Sequence, residues 1–298
     1  MSKQKLIYGA VALAVVLIAW NAVQSPDNGN PTPRGLTEKE DVDHGHGFAV
    51  DPNDPNKVYV ATHEGLYAFQ DGALSRIGNT THDFMGFTAH PSDSRMMFTS
   101  GHPARGGNLG FLRSADSGMT WEKVSDGING PIDFHVLSMS PMDPNLIYGW
   151  YGDMMHRSMD QGATWEAFTP DIAQPISFIP HPTDPNVLYA VTIQGVAKSS
   201  DQGDTWEYVF PSRRTAAVVA FAIDPNASDV FYLYSRQYGL EKSTDGGTTW
   251  TTIEESFESE IVTNLAIARS DSAIVYAFTK ENSIFRSDDS GQAWKKVF

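Results

Sequence analysis

The chain of 298 residues carries 36 acidic against 21 basic side chains, a net charge of −15, and no cysteine. Its apolar content of 41% is enough to bury one large core or two small ones. The acidic excess repels nucleic acid and anionic headgroups, and the missing thiols exclude disulfides, cysteine metal sites and lipid attachment through cysteine.

Lys3 and Lys5 precede an apolar run over residues 6–19, which Trp20 to Val23 extend. Such a run is at the short end of the ~17–25 residues that span a bilayer, and the basic flank holds the N-terminus in the cytoplasm. Residues 1–23 are therefore expected to form a transmembrane anchor, giving a single-pass protein of the cell membrane with everything beyond it extracytoplasmic. A cleavable signal, which would release a secreted protein, is the competing reading. It is disfavoured because cuts near Ala22 place a bulky residue such as Trp20 where small ones are required. Residues 24–43 are rich in Pro, Asn, Gly and charge and are expected to be a flexible linker.

From residue 44 onward the chain repeats. Ser-x-Asp-x-Gly-x-Thr-Trp recurs at 114–121, 158–165, 199–206, 243–250 and 287–294, with Ala293 replacing Thr in the last copy. Successive tryptophans lie 44, 41, 44 and 44 residues apart, and a fixed period of this size means one supersecondary unit used many times. A second pattern is an apolar run, an Asp-Pro-Asn type turn and another apolar run ending near an aromatic. It occurs six times, at 48–59, 87–98, 137–148, 176–189, 219–232 and 265–276. The first unit has no box; Gln70-Asp71-Gly72 makes a shorter turn in its place.

Each unit reads as four short strands, with unit four predicting them at 176–179, 187–191, 195–198 and 206–210. Six four-stranded sheets at even spacing predict an all-β, six-bladed β-propeller over residues 44–298. The last unit supplies its own outer strand at 294–298, so closure is expected through side-chain packing rather than through a blade shared by the two ends.

The recurring octapeptide resembles the Asp-box (BNR) repeat of sialidases and sortilin-type receptor ectodomains. That resemblance implies a hairpin between third and fourth strands, with Asp160 and Thr164 tying the turn, Gly162 at positive φ and Trp165 packed between blades. The basic residue before each box (Arg113, Arg157, Lys198, Lys242, Arg286) recurs with the scaffold and reads as structural. The resemblance implies the fold and says little of function, because these turns are scaffolding.

Function is expected on the face opposite the boxes, where the loops differ among units. Blade one brings His44, His46 and His63 there, blade two His82, Asp83 and His102, and blade three Asp133 and His135. Imidazoles and carboxylates from different blades converge near a propeller axis. Three or four of these histidines are a candidate zinc or copper site, with Asp83 and Asp133 as ligand-binding or orienting groups. Methionines such as Met85, Met154 and Met155 would suit copper but are more often core filler. Histidines so placed also line a polar mouth that binds nothing. His90 and His181 stand in His-Pro turns and His156 beside a box, and all three read as structural. The other half of the face offers Arg213, Arg236 and Tyr238 as ligand-binding candidates.

A sialidase mechanism would need an arginine cluster, and the Arg-Ile-Pro segment of that family is missing; Phe178-Ile179-Pro180 has no arginine. A two-carboxylate glycosidase could draw on Asp83, Asp133 and Asp153, although spacing singles out no pair. The leading expectation is a monomeric, membrane-tethered binding module for a protein, peptide or metal ion. A glycoside hydrolase acting on extracellular carbohydrate is the alternative.

Overall fold

The computed structural model describes residues 35–36, 45–211, 217–254 and 257–298. Every regular element among them is a β-strand. No helix among them is long and apolar enough to cross a membrane, and the expected anchor at 1–23 lies outside the described residues.

The strands form six antiparallel sheets, each a meander of four consecutive strands, and the inner strands of neighbouring sheets touch in a closed cycle. This is a six-bladed β-propeller. Unit four illustrates the match to the sequence pattern, with strands Pro175–Pro180, Leu188–Thr192, Gly195–Ser199 and Glu207–Pro211. Second strands such as Val58–Thr62, Leu188–Thr192 and Val275–Thr279 are buried at every residue, because both of their faces meet a neighbouring blade.

Blade one departs from expectation. Gly35 and Leu36, expected within a flexible linker, pair with Ser75 and Leu74 as a fifth strand on the outer edge. The reason lies in an open row of backbone donors and acceptors along Ala73–Ile77, which a passing segment can satisfy.

The boxes explain how the blades are held. In the second copy Ser158 Oγ donates to Asp160 Oδ1 at 2.8 Å and accepts from Gly162 N at 2.7 Å. Thr164 N and Oγ1 bind the two Asp160 oxygens at 2.8 and 2.6 Å. The tied turn aims the following tryptophan, whose Nε1 donates to the Gly162 carbonyl at 3.0 Å. The Trp165 ring then sits 5.1 Å from Phe111 and 4.8 Å from Phe134, bridging blades two and three. Gly162 has φ of 84°, and a Cβ there would lie 2.0 Å from the Phe111 ring, so two independent constraints demand glycine. Hydrogen bonds from Thr249 pull the corresponding Asp245 carboxyl down to about 2.

Three of the basic residues before the boxes add links between blades, while Arg113 bonds Glu122 in its own blade. Arg157 reaches the next box, donating to the Gln202 carbonyl at 2.9 Å, and Lys242 donates to the Ser290 carbonyl at 3.0 Å. Arg286 carries the series across the seam between blades six and one, donating to Asn56 Oδ1 at 2.8 Å. Tyr276 Oη donates to the Pro55 carbonyl at 2.9 Å, and Phe48 stacks on Phe278 at 5.3 Å. Among the described residues, no strand is exchanged across this seam.

Three histidines have scaffold roles. His90 Nδ1 accepts from the backbone of Ser92 and Asp93 at 3.2 and 3.1 Å, as Asp51 Oδ1 does from Asn53 and Asp54 in blade one. His181 accepts from Thr183 N in the same manner, and burial pushes both imidazoles towards the neutral form that can accept. His156 is buried against Phe134, with ring centroids 5.3 Å apart, and desolvation lowers it to about 4.

Three outcomes follow for stability. Phe134 is fully buried, so Phe134→Ala should cost about 3–5 kcal/mol in chemical denaturation. Thr164→Ala should cost far less, since Ala293 already occupies that place in the last box. His156 in the unfolded chain titrates near 6.5, so the unfolded state binds the extra proton between pH 6.5 and 4. Stability from a neutral His156 is complete above that window and lost as pH falls through it. The drop in urea midpoint between pH 7 and pH 5 should therefore be smaller in His156→Leu than in the parent.

Candidate functional site

The mouth opposite the boxes is shaped by a repeated irregularity. Register slips by one residue between Gly45 and Gly47, Phe84 and Gly86, Pro175 and Ser177, Val218 and Ala220, and Val262 and Asn264. In blade three Val136 pairs with Trp150 while His135 N also donates to the Trp150 carbonyl, which is the same two-against-one arrangement. A β-bulge re-aims its extra side chain. The extra residues are His46, Met85, His135, Ile176, Val219 and Thr263. Most of them line a central cavity of about 150 Å³, to which blades one and three bring imidazoles, blade two a thioether and blade six Thr263 and Asn264.

His46 and His63 meet across the first two strands of blade one, with rings perpendicular and centroids 4.3 Å apart. His46 Nε2 lies 3.1 Å from His63 Nε2. Asp83, from the first strand of blade two, hydrogen-bonds His63 Nδ1 through Oδ2, and its Oδ1 lies 3.9 Å from His46 Nε2. The ligating atoms of these three residues all fall within 4.8 Å of one another. Tetrahedral zinc with bonds of ~2.0–2.1 Å sets its ligand atoms about 3.3 Å apart, so this spacing suits one ion. Asp83 is 7% exposed and its Oδ1 has no hydrogen-bond partner among the described residues, a buried anionic lone pair that a cation would satisfy.

His102 stands beside the triad. It pairs with Asp83 across the strands, and its Nε2 lies 3.4 Å from Asp83 Oδ2. Gly101 makes this possible, since a Cβ there would sit 1.8 Å from the Asp83 carbonyl oxygen. His135 Nε2 lies 3.6 Å from Asp133 Oδ2. That bond to Asp133 raises the His135 pKa against the opposing effect of burial, and the field of Asp83 adds to it. Two carboxylates at one mouth make it attractive to cations.

The other expected residues do not join this group. His82 faces a separate cavity of about 500 Å³ with Thr80, Asn108 and Trp121, because neighbours along a strand point to opposite sides and Asp83 takes the inner one. Arg236 lies in blade five, in a cavity of about 540 Å³ with Tyr234, Phe257, Glu258 and Glu260. Tyr238 sits at the tip of that blade's hairpin, partly exposed. Asp153 is exposed on the hairpin of blade three. His44 and Arg213 lie outside the described residues. Met85 carries the faintest signal in the sequence. That signal is phase, since it occupies in blade two the bulge position of His46 and His135.

No protein-family profile matches the chain, and no curated protein matches it. Solved structures do. An ancestral GH74 enzyme superposes with a TM-score of 0.61 at 16% identity, over 90% of this chain and 40% of that one. The GH74 xyloglucanase from Xanthomonas campestris gives 0.55 at 15%, over 89% of this chain and 56% of that one. This chain thus spans about half the length of these glycoside hydrolases or less. YCF48 bound to D1 peptide gives 0.52 at 13% identity, over 87% of this chain and 96% of that one. At such identities the likeness is one of fold: the chain shares the propeller of enzymes and of a peptide-binding protein alike.

Proposed function

We propose that this protein is a membrane-tethered, extracytoplasmic binding propeller that holds a transition metal at the mouth opposite its boxes and meets a protein or peptide partner on that face. The observation that carries the metal reading is Asp83, buried, with one oxygen on His63 and the other unpartnered toward His46. His46 and His63 would supply neutral imidazole nitrogens, Asp83 a carboxylate oxygen, and His102 is placed to complete or orient the set. Zinc and copper both accept such donors. The similarity in fold to a propeller bound to a peptide supports a protein or peptide partner, as does the size match to that protein.

Glycoside hydrolysis is the second reading, favoured by the GH74 neighbours and by two buried carboxylates, Asp83 and Asp133, at one mouth. It is the weaker one. Asp83 is tied to histidines, whereas a retaining or inverting pair needs both carboxyl groups facing the sugar.

The test is the metal content of the purified chain, prepared without a histidine tag and equilibrated with zinc. One ion per chain is expected, with His63→Ala and Asp83→Asn each weakening binding beyond the ~10–100-fold that loss of an outer partner costs, and the fold retained by circular dichroism. No bound ion would sink the metal reading. Turnover of xyloglucan or aryl glycosides that Asp133→Asn abolishes would establish the hydrolase instead.

A further inference from the structure

Four of the eight large apolar side chains exposed among the described residues stand on the mouth of two adjacent blades, three and four. Tyr151 and Met154 pair across the hairpin between the second and third strands of blade three, 39% and 38% exposed. Ile176 is the bulge residue of blade four, 45% exposed. Ile193, 71% exposed, follows Thr192, the partner of Pro175 beside that bulge. The strand Ile147–Tyr151 packs against Pro175–Pro180, with the Trp150 and Phe178 rings 6.5 Å apart, so the two groups are neighbours. Exposed apolar residues scattered singly are ordinary, whereas a neighbouring set on one face marks a surface that another molecule covers.

The strip runs in to the axis. Ile176 and His135 line the central cavity of about 150 Å³, whose buried walls include Leu137, Phe178 and Phe221. An apolar cavity of ~150 Å³ accommodates a benzene ring, so this one has room for a single aromatic or branched side chain.

Charge decides what kind of molecule fits. The mouth loops of the two blades, residues 133–135, 151–154, 169–175 and 192–195, contain three aspartates and no lysine or arginine. Asp133 is engaged by His135. Asp153, at the hairpin tip between Tyr151 and Met154, and Asp171, in the connection to blade four, are both exposed. Neither of their carboxylates has an ion pair or hydrogen bond among the described residues. Uncompensated anions beside an apolar strip complement a basic partner with apolar side chains and reject an acidic one.

We propose that this quadrant of the mouth docks a basic, apolar peptide segment of another protein. One aromatic or branched side chain of the segment enters the axial cavity past Ile176. Its apolar neighbours cover Tyr151, Met154 and Ile193, and a lysine or arginine lies against Asp153. The inference rests on the reading of this face as one that meets a protein or peptide, and it names the chemistry of that partner. It is independent of the metal triad, which lies between blades one and two.

The experiment selects random short peptides displayed on phage against the full chain in detergent, with a bare surface as control. The recovered consensus is synthesised and its binding measured by fluorescence anisotropy. The expected consensus joins a lysine or arginine to an aromatic or branched residue. Ile193→Glu should weaken it by ~10-fold or more, and Asp153→Lys should slow its association and flatten the salt dependence. Both side chains are exposed, so the melting temperature of each variant should match that of the parent. An acidic consensus, or a peptide that binds the parent and both variants alike, would overturn this docking surface and leave peptide binding elsewhere on the protein standing. No peptide enriched above the control would sink both.

Discussion

A four-stranded blade has two apolar faces and can bury neither alone. The architecture depends on how firmly each blade is seated on the one before it, and here that seat is a tryptophan aimed by a tied turn. The Ser-Asp-Gly-Thr lattice of hydrogen bonds freezes five surface loops into one shape, so that Trp165, Trp206, Trp250 and Trp294 enter the gap to the preceding blade. Each indole also satisfies its own N–H within the turn. Trp121 does not, and its buried Nε1 finds no hydrogen-bond partner among the described residues. Rigid spacing on the box face leaves the opposite face free to vary without cost to the ring.

The opposite face uses a different device. An extra residue at the start of each inner strand re-aims one side chain, and five of the six line the central cavity, while Val219 packs into the core. Where the scaffold is indifferent, that place holds Ile176, Val219 or Thr263; on blades one to three it holds His46, Met85 or His135. The same backbone distortion thus serves either to plug the channel or to decorate it. Among the described residues the histidines and buried aspartates of the mouth are confined to blades one to three, while blades five and six present Arg236, Glu258 and Glu260.

Most of the fold was legible in the sequence because the period, the boxes and the Asp-Pro-Asn turns are local signals, each with a local physical cause. The clustering of His46, His63 and Asp83 was legible in part for the same reason, since units aligned on their strands showed histidines at matching ends. What local pattern could not supply was register at single-residue precision. His82 and Asp83 looked like one feature, yet alternation sends them to opposite sides, His82 to a separate cavity and Asp83 to His63. Met85 looked like filler until the bulge put it in phase with His46. Gly35 and Leu36 carry no strand signal at all; only the unpaired edge of Ala73–Ile77 gives them a partner. Arginines on blade five resembled binding residues by type alone, and type does not fix where Arg236 points.

The seam between blades six and one is closed by side chains, with no strand of the described residues crossing it. Each blade is consequently encoded as one uninterrupted stretch of chain. In genetic terms a whole number of units can be copied, lost or exchanged without splitting a sheet between distant segments, and the ring adjusts only its diameter and its number of mouth positions. A ligand site lodged between two particular blades would travel with that pair, which makes the blade doublet, rather than the single repeat, the smallest heritable carrier of this chemistry.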